Sequence, residues 1–239
     1  MSTPRWLLAT DQTPSQYTRD RAQSNGVELL PSISALTKEA SCILSIVPPR
    51  DALATAQRIS ETLLPEQELQ HPLYYLDLNS ISPRLSNEIA TLFQSNPNIV
   101  LIDGCIIGGV PYPKPDAATG WNCPSLIVSG PTKLPYEDLV QKLNIEHISP
   151  RIGAASGLKM CFGSTTKGFF ALAIQSFVTA DALGVLPELR GYMKKYNSET
   201  LAIADKGLVG MPPKAYRWVY EMQQIGVTMQ DNGGFDKGL

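Results

Sequence analysis

The sequence predicts an α/β protein in which a parallel-sheet domain, residues 1–149, is followed by an all-helical domain, residues 150–239. Three observations lead there. Short, nearly continuous apolar runs alternate with helical segments through the first half, as expected of strands buried on both faces of a parallel sheet. After "ISPRIG" the strand punctuation stops. From Ala154 to Leu183 no proline interrupts the chain and Gly184 supplies a stop, which predicts a connecting helix roughly 45 Å long at about 1.5 Å per residue.

Trp6 to Thr10 reads as the first strand. Thr13 is placed to cap a helix with Pro14 at its first position, ending at Gly26. Val27 to Leu30 is a brief strand, and "CILSIV", Cys42 to Val47, is a stronger one stopped by Pro48 and Pro49. A helix is expected from about Asp51 to Leu64, a strand from Tyr74 to Asp77, and a helix from Pro83 capped by Ser82. "IVLID", Ile99 to Asp103, and "SLIVS", Ser125 to Ser129, complete the strands. Beyond the long helix, two or three more are expected, near 187–196, 198–206 and 212–229.

The 239 residues carry a net charge of -2 and no Lys/Arg cluster, which argues against a nucleic-acid partner. Cys42, Cys105, Cys123 and Cys161 form no CxxC pair and are read as reduced thiols of a cytoplasmic protein without a metal site. His71 and His147, read as surface residues, are too few for a histidine metal centre or a Ser-His-Asp triad. No signal peptide is expected at the start. The most apolar run, Phe169 to Leu186, contains Gln175, Ser176, Thr179 and Asp181, so no membrane span is expected. The long helix needs a surface to pack on, and apolar stretches such as "GFFALAI" exceed what a small helical domain covers, so a homodimer is expected.

Lys159 and Lys167 lie in a span otherwise small or apolar, with no Asp or Glu between Glu146 and Asp181. Either both amines reach solvent along their stems, or one faces a ligand. On an uninterrupted α-helix they stand about 80° apart and share a face poorly.

The order of "SIVPPRDA", "DLNSISP", "IDGCIIGGVPYP" and "GLKM" resembles the β-hydroxyacid dehydrogenase superfamily, which includes 6-phosphogluconate and 3-hydroxyisobutyrate dehydrogenases. "KMCFGSTTKG" and "KAYRWVYEM" resemble more narrowly the C-terminal domain of phosphogluconate-dehydrogenase-like proteins of undefined substrate. The resemblance implies a truncated Rossmann-like first domain and an NAD(P)-dependent oxidoreductase acting on a hydroxy acid or related carbonyl compound. It implies that Lys159 is the catalytic general acid or base, with a snorkelling lysine as the plain alternative. Lys167 is expected to snorkel off the helix, or to reach substrate or a partner chain.

Val47, Pro48 and Pro49 fall in the loop beside the cofactor, and Asn79 and Ser80 at a strand's carboxyl end are placed either for the nicotinamide side or as an ordinary turn. Asp11 is placed to accept from a ribose hydroxyl, which favours NAD, while Arg19 and Arg21 keep NADP open. Gly108 and Gly109 either let backbone N–H groups approach an anionic substrate or form a bare turn.

The chain departs from the family's pattern in three places. Ile107 stands at the usual serine, and Gly163 at the usual asparagine four residues after the lysine. No G-x-G-x-x-G occurs, so the first strand and its pyrophosphate-binding turn have no counterpart. Loss of that strand predicts a gap or free edges inside the sheet. A non-redox protein of the same lineage, repurposed or acting as a dimeric interaction module, is the alternative function.

Overall fold

The computed structural model describes residues 6–9, 14–63, 71–117 and 120–235. The chain divides into two compact units: Met1–Asn79 with Leu85–Ala155, and Ser80–Arg84 with Ser156–Leu239.

The first unit runs β1 (Trp6–Ala9), α1 (Gln16–Ser24), β2 (Val27–Leu30), α2 (Ile33–Glu39), β3 (Cys42–Ser45), α3 (Ala52–Thr62), β4 (Leu73–Asp77), α4 (Pro83–Phe93), β5 (Ile99–Ile107), β6 (Tyr112–Pro113), β7 (Trp121–Asn122), β8 (Ser125–Ser129), α5 (Glu137–Lys142) and β9 (Ile145–Ser149). Thr13 lies outside the described residues, and the cap of α1 is Ser15, whose Oγ accepts from the Thr18 N–H at 3.2 Å. Pro14 therefore precedes the helix instead of opening it. Ser32 caps α2 in the same way through the Ala35 N–H. Helix α2, the β6–β7 hairpin, α5 and β9 all go beyond the elements expected from sequence.

The main sheet has the order β3-β4-β5-β8-β9, and β1 and β2 form a separate parallel pair. Three of the main sheet's four seams are parallel; β5 and β8 are antiparallel. The reason is the connection. The described residues between 108 and 124 carry only a short hairpin, and a parallel return needs a crossover of a dozen or more residues, usually a helix.

Both faces of the sheet are covered. Tyr75 on one face meets the Phe93 ring of α4 edge-on, and Tyr74 on the other meets Tyr136 beside α5. Leu76, Leu78, Ile102, Leu126, Val128 and Leu134 form the core on the Tyr74 side.

No ladder joins β1 to β3 among the described residues. On β3, Ser41 and Ser45 accept from Tyr74 and Leu78, so in parallel pairing the alternate residues Cys42 and Leu44 turn their backbone groups away from β4. Among the described residues no strand pairs with that side of β3.

In the second unit α6 (Ala154–Gly163) passes through a π-helical turn, Ser164–Gly168, into α7 (Phe169–Ala182). Gly163, Gly168 and Phe169 all keep right-handed helical angles, so this is one helix with a π-bulge, ended by Gly184 at φ 71°. Helices α8 (Leu186–Tyr196), α9 (Ser198–Gly210) and α10 (Ala215–Gly233) follow. Ala173, Phe177 and Ala204 make the unit's core. Gly207 lies against the Phe170 ring so closely that a methyl group there would overlap it.

Candidate functional site

Strand register builds the centre of the first unit. Ser45, Asp77, Asp103 and Ser129 are paired in succession across β3, β4, β5 and β8, and all four are buried. This polar row lies at the carboxyl ends of β3 and β4, the edge where open α/β sheets bind ligands.

The two aspartates differ. Asp103 is satisfied four ways: Ser86 Oγ donates to Oδ1 at 2.8 Å, and Ser129 Oγ, Gly153 N–H and Ala155 N–H donate to Oδ2 at 2.7, 3.0 and 3.1 Å. Its carboxylate holds the first turn of α6, where helix N–H groups need an acceptor and a negative charge is favoured. Asp77 accepts the Asn79 N–H at Oδ1, 3.0 Å, while its Oδ2 is buried without a hydrogen bond. Burial pushes the Asp77 carboxyl up to about 6, and the neighbouring Asp103 charge adds to the rise while the Asn79 donors oppose it.

Asn79 ties two of the expected cofactor loops together. Its Oδ1 accepts from the Val47 N–H at 2.8 Å and its Nδ2 donates to Ser45 Oγ at 3.1 Å. The carboxamide is thus spent on fixing the Val47–Pro49 loop; Ser80, next along, is half-buried, as are Val47 and Pro49, and Pro48 is exposed. Asp11 lies outside the described residues. Gly108 has φ 127° and a Cβ there would come 3.1 Å from Pro124, which accounts for that glycine as a turn residue. Gly109 is exposed, with open space around it. His71 is exposed; His147 is half-buried, with Nε2 2.8 Å from the Gly130 carbonyl oxygen.

Lys159 is half-buried on α6, one turn beyond the part of the helix that Asp103 caps. Lys167 is not a surface lysine. Its amine pairs with the carboxylate of Glu221 on α10 and lies 5.2 Å from the centre of the Trp218 ring, which stacks on Phe170 at 6.3 Å. The partner missing from the local sequence comes from 54 residues downstream. The 80° divergence of the two lysines does not hold either. A π-turn winds more slowly, at roughly 80–85° per residue against about 100° in the α-helix, which brings Lys167 to within about 30° of the face of Lys159.

Ser82 Oγ and N–H both donate to Gln224 of α10, at 2.7 and 3.0 Å, and Arg84 forms an ion pair with Asp231. These bonds hold the Ser80–Arg84 segment within the second unit. Sequence reading overlooked Asp77, Asp103, Glu221 and Gln224. The one signal available was "LYYLD" beside "IVLID": two apolar strands of similar length, each carrying a carboxylate at the same place.

Among the described residues no group of His, Cys, Asp or Glu converges to hold a metal, and no helix is long and apolar enough to cross a membrane.

Residues 180–238 match the family described as "Domain of unknown function (DUF1932)". An uncharacterized 28.5 kDa protein of Methanothermus fervidus is 26% identical over 175 residues, 73% of this chain and 62% of that protein. The chain thus spans less than two thirds of the length of this curated relative. Among solved structures, the conserved protein MTH1747, described as similar in structure to 3-hydroxyacid dehydrogenases, superposes with a TM-score of 0.63 at 21% identity, over 95% of this chain and 80% of that one. The 3-hydroxyisobutyrate dehydrogenase of Mycobacterium tuberculosis gives 0.53 at 20% identity over 77% and 60%. The imine reductase of Myxococcus stipitatus, solved with NADP+, gives 0.57 at 16% identity over 96% and 80%.

Proposed function

We propose that this chain, which has the fold of the β-hydroxyacid dehydrogenase superfamily, is an NAD(P)-dependent oxidoreductase acting on a hydroxy acid or related carbonyl compound. The observation that carries the reading is Lys159: a half-buried amine on a helix whose first turn is fixed by a buried carboxylate. In this reading Lys159 moves a proton to or from the substrate oxygen as hydride passes between substrate and nicotinamide. An amine suits alcohol and carbonyl chemistry, while Ile107 and Gly163 in place of hydroxyl and amide groups favour a bulkier or less polar substrate.

In this reading the loops Val47–Pro49 and Asn79–Ser80 would hold the nicotinamide end of the cofactor, and the hydrogen bond from the Val47 N–H to Asn79 supports it by tying Asn79 to the first of them. No described turn supplies a G-x-G-x-x-G cradle for the pyrophosphate, which favours the second reading, a non-redox protein of this lineage. The cradle contributes much of the affinity in such sites, so calorimetric titration of this chain with NADH and NADPH is expected to show binding weaker than low micromolar. Low-micromolar binding of either would mean that another segment replaces the cradle. The absorbance of the nicotinamide, followed against a panel of hydroxy acids, ketones and cyclic imines, then separates the two functions.

A homodimer built on the helical unit is part of the proposal. That unit exposes Leu172, Val178, Leu183, Tyr192, Val209 and Tyr216, more apolar surface than a small monomeric unit ordinarily leaves in water. A shallow groove of about 450 Å³ runs between Leu172, Thr179, Leu183 and Leu189 and is read as the seat of a second copy. Light scattering at micromolar concentration is expected to give twice the chain mass; a monomer would remove this part.

A further inference from the structure

The Lys167–Glu221 pair has a geometry that packing alone does not require. The π-bulge turns Lys167 onto the face of Lys159. Gly163 lies between them on that face, one turn after Lys159 and one turn before Lys167, and it is buried. Glu221 comes down over this bare position: its Oε1 would lie 4.0 Å from a Cβ on residue 163, and Ile225 Cδ1 would lie at 3.1 Å. Glu221 is itself buried, and its charge is fixed by Lys167, whose amine is backed by the Trp218 ring. A negative and a positive charge are thus held in set order along the face that carries the proposed reacting amine.

We propose that Glu221, clamped by Lys167 and Trp218, is a positioning residue for Lys159, setting the proton affinity of its amine through a fixed charge over Gly163. The inference rests on the reading of Lys159 as the reacting group and names the device that tunes it. The charged and titratable groups on the elements packed here are few. Helix α6 carries Cys161 besides Lys159, the π-turn carries Lys167, and α10 carries Tyr216, Arg217, Tyr220, Glu221 and Asp231. The Ser80–Arg84 segment adds Arg84, already paired with Asp231. Pro83 of that segment touches the position of Gly157, so it packs on the same helix.

The two members of the pair pull in opposite directions. Removing the Glu221 charge leaves the positive charge of Lys167 unbalanced and lowers the pKa of the Lys159 amine. Removing the Lys167 charge leaves Glu221 uncompensated and raises it. A charge within about 10 Å in a half-buried place shifts an amine by about half a pK unit or more. A pair that does not act on Lys159 would move its midpoint in neither variant.

The test reads the amine without turnover. Lysines are reductively methylated with 13C-formaldehyde and their signals titrated by NMR, the Lys159 signal being assigned by its loss in Lys159→Met. Glu221→Gln is expected to lower the Lys159 midpoint by about half a unit or more, Lys167→Met to raise it, and Lys167→Arg to leave it unchanged. Should Glu221→Gln not fold, the contrast between Lys167→Met and Lys167→Arg carries the test. A Lys159 midpoint that moves in neither charge-removing variant, or moves the same way in both, overturns the proposal. The dehydrogenase reading fails separately, if Lys159→Met leaves turnover unchanged.

Discussion

Asp77→Asn is expected to stabilise the protein at neutral pH, and the gain over the parent chain is expected to grow by about 2 kcal/mol between pH 4 and pH 7.5. Asp77 is buried, one carboxylate oxygen lacks a donor, and Asp103 carries a charge on the adjacent strand. These raise its carboxyl from 3.8 to about 6 in the folded state. A group with a raised folded pKa stabilises the fold fully below its unfolded pKa. As pH climbs from about 4 to about 6, the unfolded chain releases the proton while the folded chain holds it, and that stability is lost. Asparagine keeps the acceptor for the Asn79 N–H and cannot ionise. Urea unfolding of both chains across this range is the measurement. Parallel stability curves would show that Asp77 is ionised at little cost.

That aspartate shows where sequence reading ends. "LYYLD" and "IVLID" were legible as strands, because apolar runs of that length bounded by turn residues have few other homes. Their register was not, and only register puts Ser45, Asp77, Asp103 and Ser129 in one row. Asp103 finds its donors 17 to 52 residues away, distances at which a single sequence carries no pairing signal. Helix α2 was overlooked because its seven residues leave no full apolar period to detect. Strand β9 was overlooked because it alternates half-buried and exposed residues on an edge, "IEHIS", and so shows no continuous apolar run.

The antiparallel return of β8 follows from what the described residues between 108 and 124 lack, a crossover helix. The long helix, by contrast, was plain from the absence of proline. Its π-bulge was not, since "GSTTKG" is compatible with an α-helix, and the missing registration hid the shared face of Lys159 and Lys167.

Lys159→Met is expected to lower turnover by roughly two to four orders of magnitude in any reaction this chain is found to catalyse, the scale of removing a general acid or base. Methionine preserves the unbranched stem that packs on half-buried α6 and removes the amine, so loss of activity with unchanged thermal unfolding isolates the chemistry. Lys167→Met should lower turnover less, because its amine is committed to Glu221 and Trp218 and acts through Lys159. It should also cost stability, since it strands a buried carboxylate. The two substitutions therefore separate along different axes: the first changes rate with little change in unfolding, the second changes unfolding with a smaller change in rate. If Lys159→Met retains full turnover, Lys159 is a snorkelling side chain. If Lys167→Met abolishes turnover at unchanged stability, Lys167 is the reacting amine, and the helix is registered about two turns away from the family pattern.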